Sequence, residues 1–247
     1  MKKLYLVLLI PLILPACSPQ RNLVYFGNLS EVSNSQITNQ PELKLQKNDQ
    51  ISVSLTSLNA EYDILFTGAN NNNAINGKPG YRVNNNGKIT LPRIGDIPVE
   101  GLTIEQVQAL ITKELKKQIK EPVVVAQLIN FKITVIGEVN HPASVSIPGD
   151  ELNLLEALGM AGDMTVYGKR ENVLVIREEN GIRNMTRLNL NDKNIFESPY
   201  FHLKQNDIIY VEPDKAKEKE YSPNNRALPI ITACISAVAV LLTALIR

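Results

Sequence analysis

The chain has 247 residues, 44% of them hydrophobic, so its length and composition allow a folded body with a buried core. The formal net charge is +1 and the chain contains no Trp, which argues against a nucleic-acid-binding protein, because such proteins need a basic surface or aromatic stacking platforms. The cysteines and histidines stand far apart, so we expect neither a structural disulfide nor a metal site; they are Cys17, His141, His202 and Cys234.

The N-terminus is typical of a lipoprotein signal peptide. Two lysines precede an apolar stretch over residues 4–14, which is too short to span a membrane. Cys17 directly follows the small residue Ala16, and this arrangement resembles a lipobox. We therefore predict a signal peptide over residues 1–16 and lipid attachment at Cys17, the alternative being an ordinary cleaved signal with a chance cysteine. The next residue, Ser18, is not the Asp of an inner-membrane retention signal, so we expect a lipid-anchored outer-membrane protein with its body in the periplasm.

Residues 17–40 form the predicted lipidated tether. They are polar and rich in Asn, Ser and Gln, apart from one apolar island over residues 23–26. We interpret this island as a short segment that docks on the folded body.

Residues 41–130 show the pattern of an α+β domain. Residues 51–55 alternate apolar and polar side chains and predict a strand. Asn86-Gly87 stands between two β-rich runs and predicts a tight hairpin, because both residue types tolerate positive φ. Thr103 and Gln106 predict a capping box that opens a helix. Residues 123–125 are three valines, which we interpret as a buried strand.

Residues 131–213 predict a second, smaller α+β unit of β-grasp type. Asn153 is expected to cap a short helix over residues 154–161, with Glu156 as its return partner. The predicted strands cover residues 133–139, 172–177, 183–190 and 208–211.

The C-terminus combines a hydrophilic linker over residues 214–227 with an uncharged stretch over residues 228–246. Its 17 residues from 230 to 246 predict a helix about 26 Å long, the short limit for a transmembrane helix. One face of this helix carries small, weakly polar residues that we take as pore-lining or helix-packing candidates; they are Thr232, Ser236, Ala239 and Thr243. The alternative is a monomeric anchor on which these residues fall at random.

Several segments in order resemble a known family. Tyr81-Arg82-Val83, the run Gly-Lys-Ile-Thr-Leu-Pro over residues 87–92, Ile94-Gly95 and residues 99–103 resemble the polysaccharide export domain of Wza-like outer-membrane proteins. Residues 135–142 with 154–162 are similar to the SLBB (soluble-ligand-binding β-grasp) domain that follows it, and residues 203–213 to its closing strand. Ala143 and Asp163 stand where the family usually has Gly, and we expect these departures to affect turn geometry more than function.

The resemblance implies the outer-membrane component of a capsular polysaccharide or exopolysaccharide export channel. Copies would form a homo-oligomeric periplasmic ring, and their C-terminal helices a pore through the outer membrane for the polysaccharide. An inner-membrane polysaccharide copolymerase, or chain-length regulator, would dock below the ring.

The sequence leaves one alternative function class open and argues against another. A membrane-anchored carbohydrate-binding or scaffold lipoprotein without a pore would share the same domains. An enzyme would need a nucleophile elbow, a phosphate-binding Gly loop or a metal-ligand spacing, and the sequence shows none of these motifs. We expect the histidines to serve in turns or on the surface, and Asp49, Asp96 and Asp207 to bond to backbone in turns. We therefore predict a protein that is not an enzyme and uses no cofactor.

Overall fold

The computed structural model describes residues 23–29, 42–57, 74–75, 78–149, 151–179, 181–220 and 223–245. The predicted signal peptide and the lipid attachment site Cys17 lie outside these residues.

The N-terminal domain is a four-stranded sheet and a two-stranded sheet with one helix. Its elements are β1 (Gln50–Thr56), β2 (Ala74–Ile75), β3 (Lys78–Arg82), β4 (Lys88–Leu91), β5 (Gly95–Pro98), α1 (Ile104–Leu115) and β6 (Val123–Leu128). The larger sheet has the order β2-β3-β1-β6 and the smaller one pairs β4 with β5. Helix α1 begins at the predicted capping box of Thr103 and Gln106, and its apolar face is buried in the domain core.

The turn at Asn86-Gly87 exists, but the predicted hairpin across it is wrong. The side chain of Asn84 accepts hydrogen bonds from the N–H groups of Asn86 and Lys88, and Gly87 takes a φ of 73°. Strand β3 before the turn pairs with β1, however, and strand β4 after it pairs with β5. Turn chemistry reverses the chain, whereas the partner of each strand is decided by which faces can be buried together.

The strand predicted to be fully buried is half exposed. Along β6, the side chains alternate between buried and exposed, and Val123 and Val125 are 60% and 45% exposed. The run of valines is therefore an edge strand with one buried face, which apolar composition alone does not distinguish from a central strand.

The C-terminal domain is a mixed five-stranded sheet with one helix. Its elements are β7 (Lys132–Gly137), β8 (Ala143–Ser146), α2 (Leu154–Met160), β9 (Gly168–Glu179), β10 (Ile182–Leu188), a 3-10 helix (Lys193–Glu197) and β11 (Ile208–Pro213). The order is β10-β9-β11-β7-β8, and β11 runs parallel to β7. Asn153 and Glu156 form the predicted capping box of α2, whose Leu154 and Leu158 are fully buried. The predicted α+β class is confirmed.

The predicted docking segment is confirmed and lies on the C-terminal domain. The backbone N–H of Phe26 donates to the carbonyl of Leu190, and the Phe26 ring packs against Phe196 with 5.0 Å between ring centroids. The hydroxyl of Tyr25 donates to Asp163, one of the two departures from the family pattern. Asp163 has a φ of 66°, a backbone conformation that favours Gly. The chain thus has an Asp at a strained position, and its carboxylate holds the docking segment.

Two helices end the chain, α3 (Lys215–Glu220) and α4 (Pro223–Leu245). Among the residues described, no helix is both long enough and apolar enough to cross a membrane. The prediction of a transmembrane helix over residues 228–246 is therefore wrong. Helix α4 begins with the polar sequence Pro-Asn-Asn-Arg, and the apolar part after Pro229 is shorter than the ~20 residues that a span needs.

Candidate functional site

The four residues predicted to line a pore or pack helices all lie on α4. They are exposed, and their hydroxyl groups donate to carbonyls one turn earlier in the same helix. These bonds join Thr232 to Pro229, Ser236 to Ala233 and Thr243 to Val240, at 2.8 to 2.9 Å. Ala239 completes the face without a polar group. The hydroxyl groups already donate to carbonyls within the helix, so they are not available as donors to a ligand or a neighbouring helix. What distinguishes this face is the small size of its side chains.

The predicted turn carboxylates behave differently from one another. Asp49 accepts a hydrogen bond from the backbone N–H of Gln46, as expected. Asp96 lies on β5 and accepts from the hydroxyl of Thr90 instead. Asp207 accepts from the backbone N–H of Lys204, but it also forms a buried ion pair that the sequence did not reveal.

This ion pair joins Arg177 on β9 to Asp207. Two guanidinium nitrogens of Arg177 reach the carboxylate at 2.6 to 3.2 Å, and both side chains are almost completely buried. The remaining donors of Arg177 reach the carbonyls of Pro199 and His202, and its guanidinium stacks on Tyr200. The group fastens the loop before β11 to the sheet, which is a structural role.

A second polar group fixes the start of α3. Glu138, just after β7, is buried and accepts hydrogen bonds from the ammonium of Lys217 at 2.7 Å and the hydroxyl of Thr165 at 2.6 Å. Burial alone would raise the pKa of Glu138, but these hydrogen bonds and the Lys217 charge outweigh it and lower the pKa. The carboxylate therefore holds α3 against the C-terminal domain.

A polar cleft lies where the two domains meet. It has a volume of about 570 Å³ and is lined by the turn that leads into β1, the residues that follow β6, strands β7 and β8, and the loop before β11. The lining residues are mostly hydroxyl, amide and charged; they are Lys47, Asn48, Asp49, Gln50, Ile129, Asn130, Lys132, Ser144, Ser146, Gln205 and Asn206. Because both domains contribute, we call this recess the junction cleft and take it as the candidate binding site.

Side-chain amides form a hydrogen-bond network at the base of the junction cleft, and one of its bonds crosses between the two domains. Asn130 accepts from the N–H of Gln50 and donates to the carbonyl of Asn48. Gln205 donates to the carbonyl of Asn130 and accepts from the N–H of Lys132. These bonds satisfy backbone groups on both sides and hold the walls of the cleft in place.

The carboxylate of Asp49 lies in the wall of the junction cleft. Its residue is only 4% exposed. Burial raises the pKa of Asp49 to about 6, against the lowering effect of the hydrogen bond from Gln46. The group therefore changes its charge in the mildly acidic range.

None of the lining residues was singled out as a ligand contact from the sequence. They come from segments up to about 160 residues apart in the chain, so no local motif could reveal them. The only available signal was the concentration of Asn and Gln around positions 46–50, 130 and 205–206. In the described part of the chain, no group of three or more His, Cys, Asp and Glu side chains could hold a metal ion.

Two family models match the chain consecutively. The model for "Polysaccharide biosynthesis/export protein" matches residues 37–128, and the model for "SLBB domain" matches residues 131–211. Together they cover more than half of the chain, and they meet at the junction cleft.

Curated relatives match over shorter stretches. The chain is 35% identical over 114 residues to "EPS I polysaccharide export outer membrane protein EpsA" of Ralstonia solanacearum, covering 44% of this chain and 29% of that protein. It is 30% identical over 99 residues to "Capsule polysaccharide export protein BexD" of Haemophilus influenzae, covering 39% of this chain and 25% of that protein. The chain thus spans less than a third of the length of these relatives. With two consecutive family models and relatives of the same kind, the chain belongs to the polysaccharide biosynthesis/export protein family and carries an SLBB domain.

Proposed function

We propose that this protein is an outer-membrane component of a polysaccharide export system, which helps conduct a glycan to the cell surface and performs no bond chemistry itself. The observation that carries the proposal is the consecutive match of an export domain and an SLBB domain, together with relatives named as polysaccharide export outer membrane and capsule export proteins. The names of the family and of these relatives point to export rather than to catalysis.

The proposed membrane attachment is a lipid on Cys17. The lipobox pattern supports it, and so does the docking segment that follows. Only five residues stand between Cys17 and Leu23, so the two are at most about 22 Å apart even in an extended chain. A lipid at Cys17 would thus hold the C-terminal domain, on which Tyr25 and Phe26 pack, close to the inner leaflet of the outer membrane, with the body in the periplasm.

The proposed working form is a ring of identical chains, with an inner-membrane copolymerase as its partner. Helix α4 supports self-association, because side chains 229–244 are all exposed in the single chain although most are apolar. Exposed apolar surface of this extent is unfavourable in water and favours packing against another apolar surface. We propose that copies of α4 pack through the small-residue face of Thr232, Ser236, Ala239 and Thr243.

Gene deletion in the native bacterium tests the export function. We expect surface glycan to fall strongly and glycan to accumulate inside the envelope, because polymerisation continues without an exit. The wild-type gene on a plasmid should restore surface glycan, and Cys17→Ala should restore little, because the protein then lacks its lipid anchor. Normal surface glycan in the deletion strain would contradict the proposed function.

A further inference from the structure

The junction cleft has the chemistry of a binding site for a hydroxyl-rich ligand. Ser144 and Ser146 project from the edge strand β8, and Asn206 and Gln50 border the same recess. Hydroxyl and amide groups donate and accept hydrogen bonds, as sugar hydroxyls do, so the two surfaces are complementary. No aromatic side chain is among the lining residues described, so recognition there would depend on hydrogen bonds and charge rather than on stacking.

The charges of the cleft favour an anion. Lys132 lies on β7 opposite Ser146, and among the described residues its ammonium has no carboxylate partner. Lys47 is only loosely paired with Glu100, at 3.8 Å and with both side chains about half exposed, and such a pair contributes little. Two ammonium groups, those of Lys47 and Lys132, therefore line the recess together with a single carboxylate among the described residues, the buried one of Asp49.

The cleft is also preorganised. The amide of Gln205 crosses from one domain to the carbonyl of Asn130 in the other, and the Asn130 side chain bonds in turn to Gln50 and Asn48, so the walls of the cleft are held in place before a ligand arrives. A ligand would therefore order few protein groups on binding.

We propose that the junction cleft binds an acidic saccharide, with Lys47 and Lys132 holding its carboxylate and Ser144, Ser146 and Asn206 its hydroxyl groups. This inference rests on the proposed function, which supplies a glycan, and it narrows the substrate class to saccharides that carry negative charge. It places a contact between the glycan and the protein at the boundary of the two domains.

Binding to the purified full chain in detergent tests the site. The probe is a pentamer of galacturonic acid titrated by calorimetry, beside maltopentaose as a neutral saccharide and pentaglutamate as an anion without sugar hydroxyls. We expect the galacturonate to bind most tightly. The double variant Lys47→Gln/Lys132→Gln should weaken it about tenfold, because both charge-assisted hydrogen bonds are lost.

Two further variants distinguish binding at the cleft from an effect of the protein's overall charge. Lys113→Gln, exposed on α1 and outside the cleft, removes one positive charge and should leave the affinity unchanged. Ser146→Ala keeps every charge and should weaken binding a few-fold through one hydroxyl group. All these positions are exposed, so the variants should fold, which their melting temperatures verify.

Three results would overturn the inference: no binding of the galacturonate, equal binding of pentaglutamate, or an unchanged affinity in the double variant. Any of these in a protein that restores surface glycan to the deletion strain would reject the cleft as an acidic-saccharide site and leave the export function standing. Failure of the wild-type gene to support export would instead reject the proposed function itself.

Discussion

At the scale of single residues, the C-terminal domain depends on one buried ion pair. Both side chains are buried and form an ion pair with each other. Arg177 also donates to the carbonyl of His202, and Asp207 accepts from the N–H of Lys204. A buried pair of this kind contributes modestly as a whole, but removing one partner leaves an uncompensated charge in the core.

We expect Arg177→Met to lower the free energy of unfolding by about 3–5 kcal/mol, because Asp207 stays buried without its partner. Arg183→Met is the matched control, since Arg183 pairs with Glu178 on the surface, where both side chains are more than 60% exposed. Such a pair contributes at most about 1 kcal/mol. Urea unfolding of both variants measures the difference, and equal losses would show that burial does not govern the effect.

Asp49 should make stability depend on pH. Burial raises its pKa to about 6 in the folded chain, above the ~3.9 of an unfolded Asp. The folded state therefore holds the proton more tightly between about pH 4 and pH 6. Its contribution to stability is fully present below pH 4 and is lost as the pH rises through 6.

Asp49→Asn removes this titration while its side-chain oxygen can still accept from the N–H of Gln46. We expect the variant to match the wild type near pH 4 and to be more stable by roughly 2 kcal/mol at pH 7. Melting temperatures across pH 4–8 measure the effect. The exposed Asp96→Asn controls for the loss of one carboxylate, and a variant curve parallel to the wild type would refute the assignment to Asp49.

At the scale of elements, the helices follow from local signals. Thr103 with Gln106, and Asn153 with Glu156, form complete capping boxes at the predicted helix starts. A cap is formed by residues three apart in the chain, so the sequence contains all that is needed to predict it. Strand partners are different, because they join distant segments.

The parallel pairing of β7 with β11 depends on a glycine. Gly137 has a φ of 96°, and a Cβ atom there would lie 2.1 Å from the carbonyl oxygen of Val211. We expect Gly137→Ala to lower the unfolding free energy by more than about 2 kcal/mol, through backbone strain and a clash in the sheet.

Gly159→Ala is the opposite case and serves as its control. Gly159 lies in α2, where an added Cβ would meet no atom within 4 Å. Alanine should stabilise this helix by about 0.5–1 kcal/mol. If thermal unfolding shows the same sign of change at both glycines, the pairing argument for Gly137 fails.

At the scale of the whole molecule, three connections set the geometry. The amide of Gln205 joins the two domains by bonding to the carbonyl of Asn130, Phe26 fastens the N-terminal segment, and Glu138 holds the start of α3. The segment that follows the proposed lipid anchor and the helix α3 that precedes α4 are thereby held by the same C-terminal domain.

The assembled state can be tested by light scattering in mild detergent. We expect the full chain to form a discrete oligomer, and a chain truncated after Glu220 to dissociate more readily because it lacks α4. Ala239→Leu should weaken the oligomer by preventing close approach of helices, whereas Val238→Leu, on a neighbouring face, should not. A monomer at all concentrations would contradict self-association and favour a carbohydrate-binding or scaffold lipoprotein.

The α+β class, both capped helices and the apolar docking segment are predictable from the sequence alone, because each depends on residues close together in the chain. The strand partners of β3 and β4, the half-exposed face of β6 and the partners of Tyr25 and Arg177 depend on long-range packing and became visible only in the folded chain. The junction cleft was equally unpredictable, because long-range packing brings its lining residues together from distant segments. The transmembrane prediction failed for a local reason. Apolar composition located the helix correctly, but its first turn is polar, and the apolar part that remains is too short to cross a membrane.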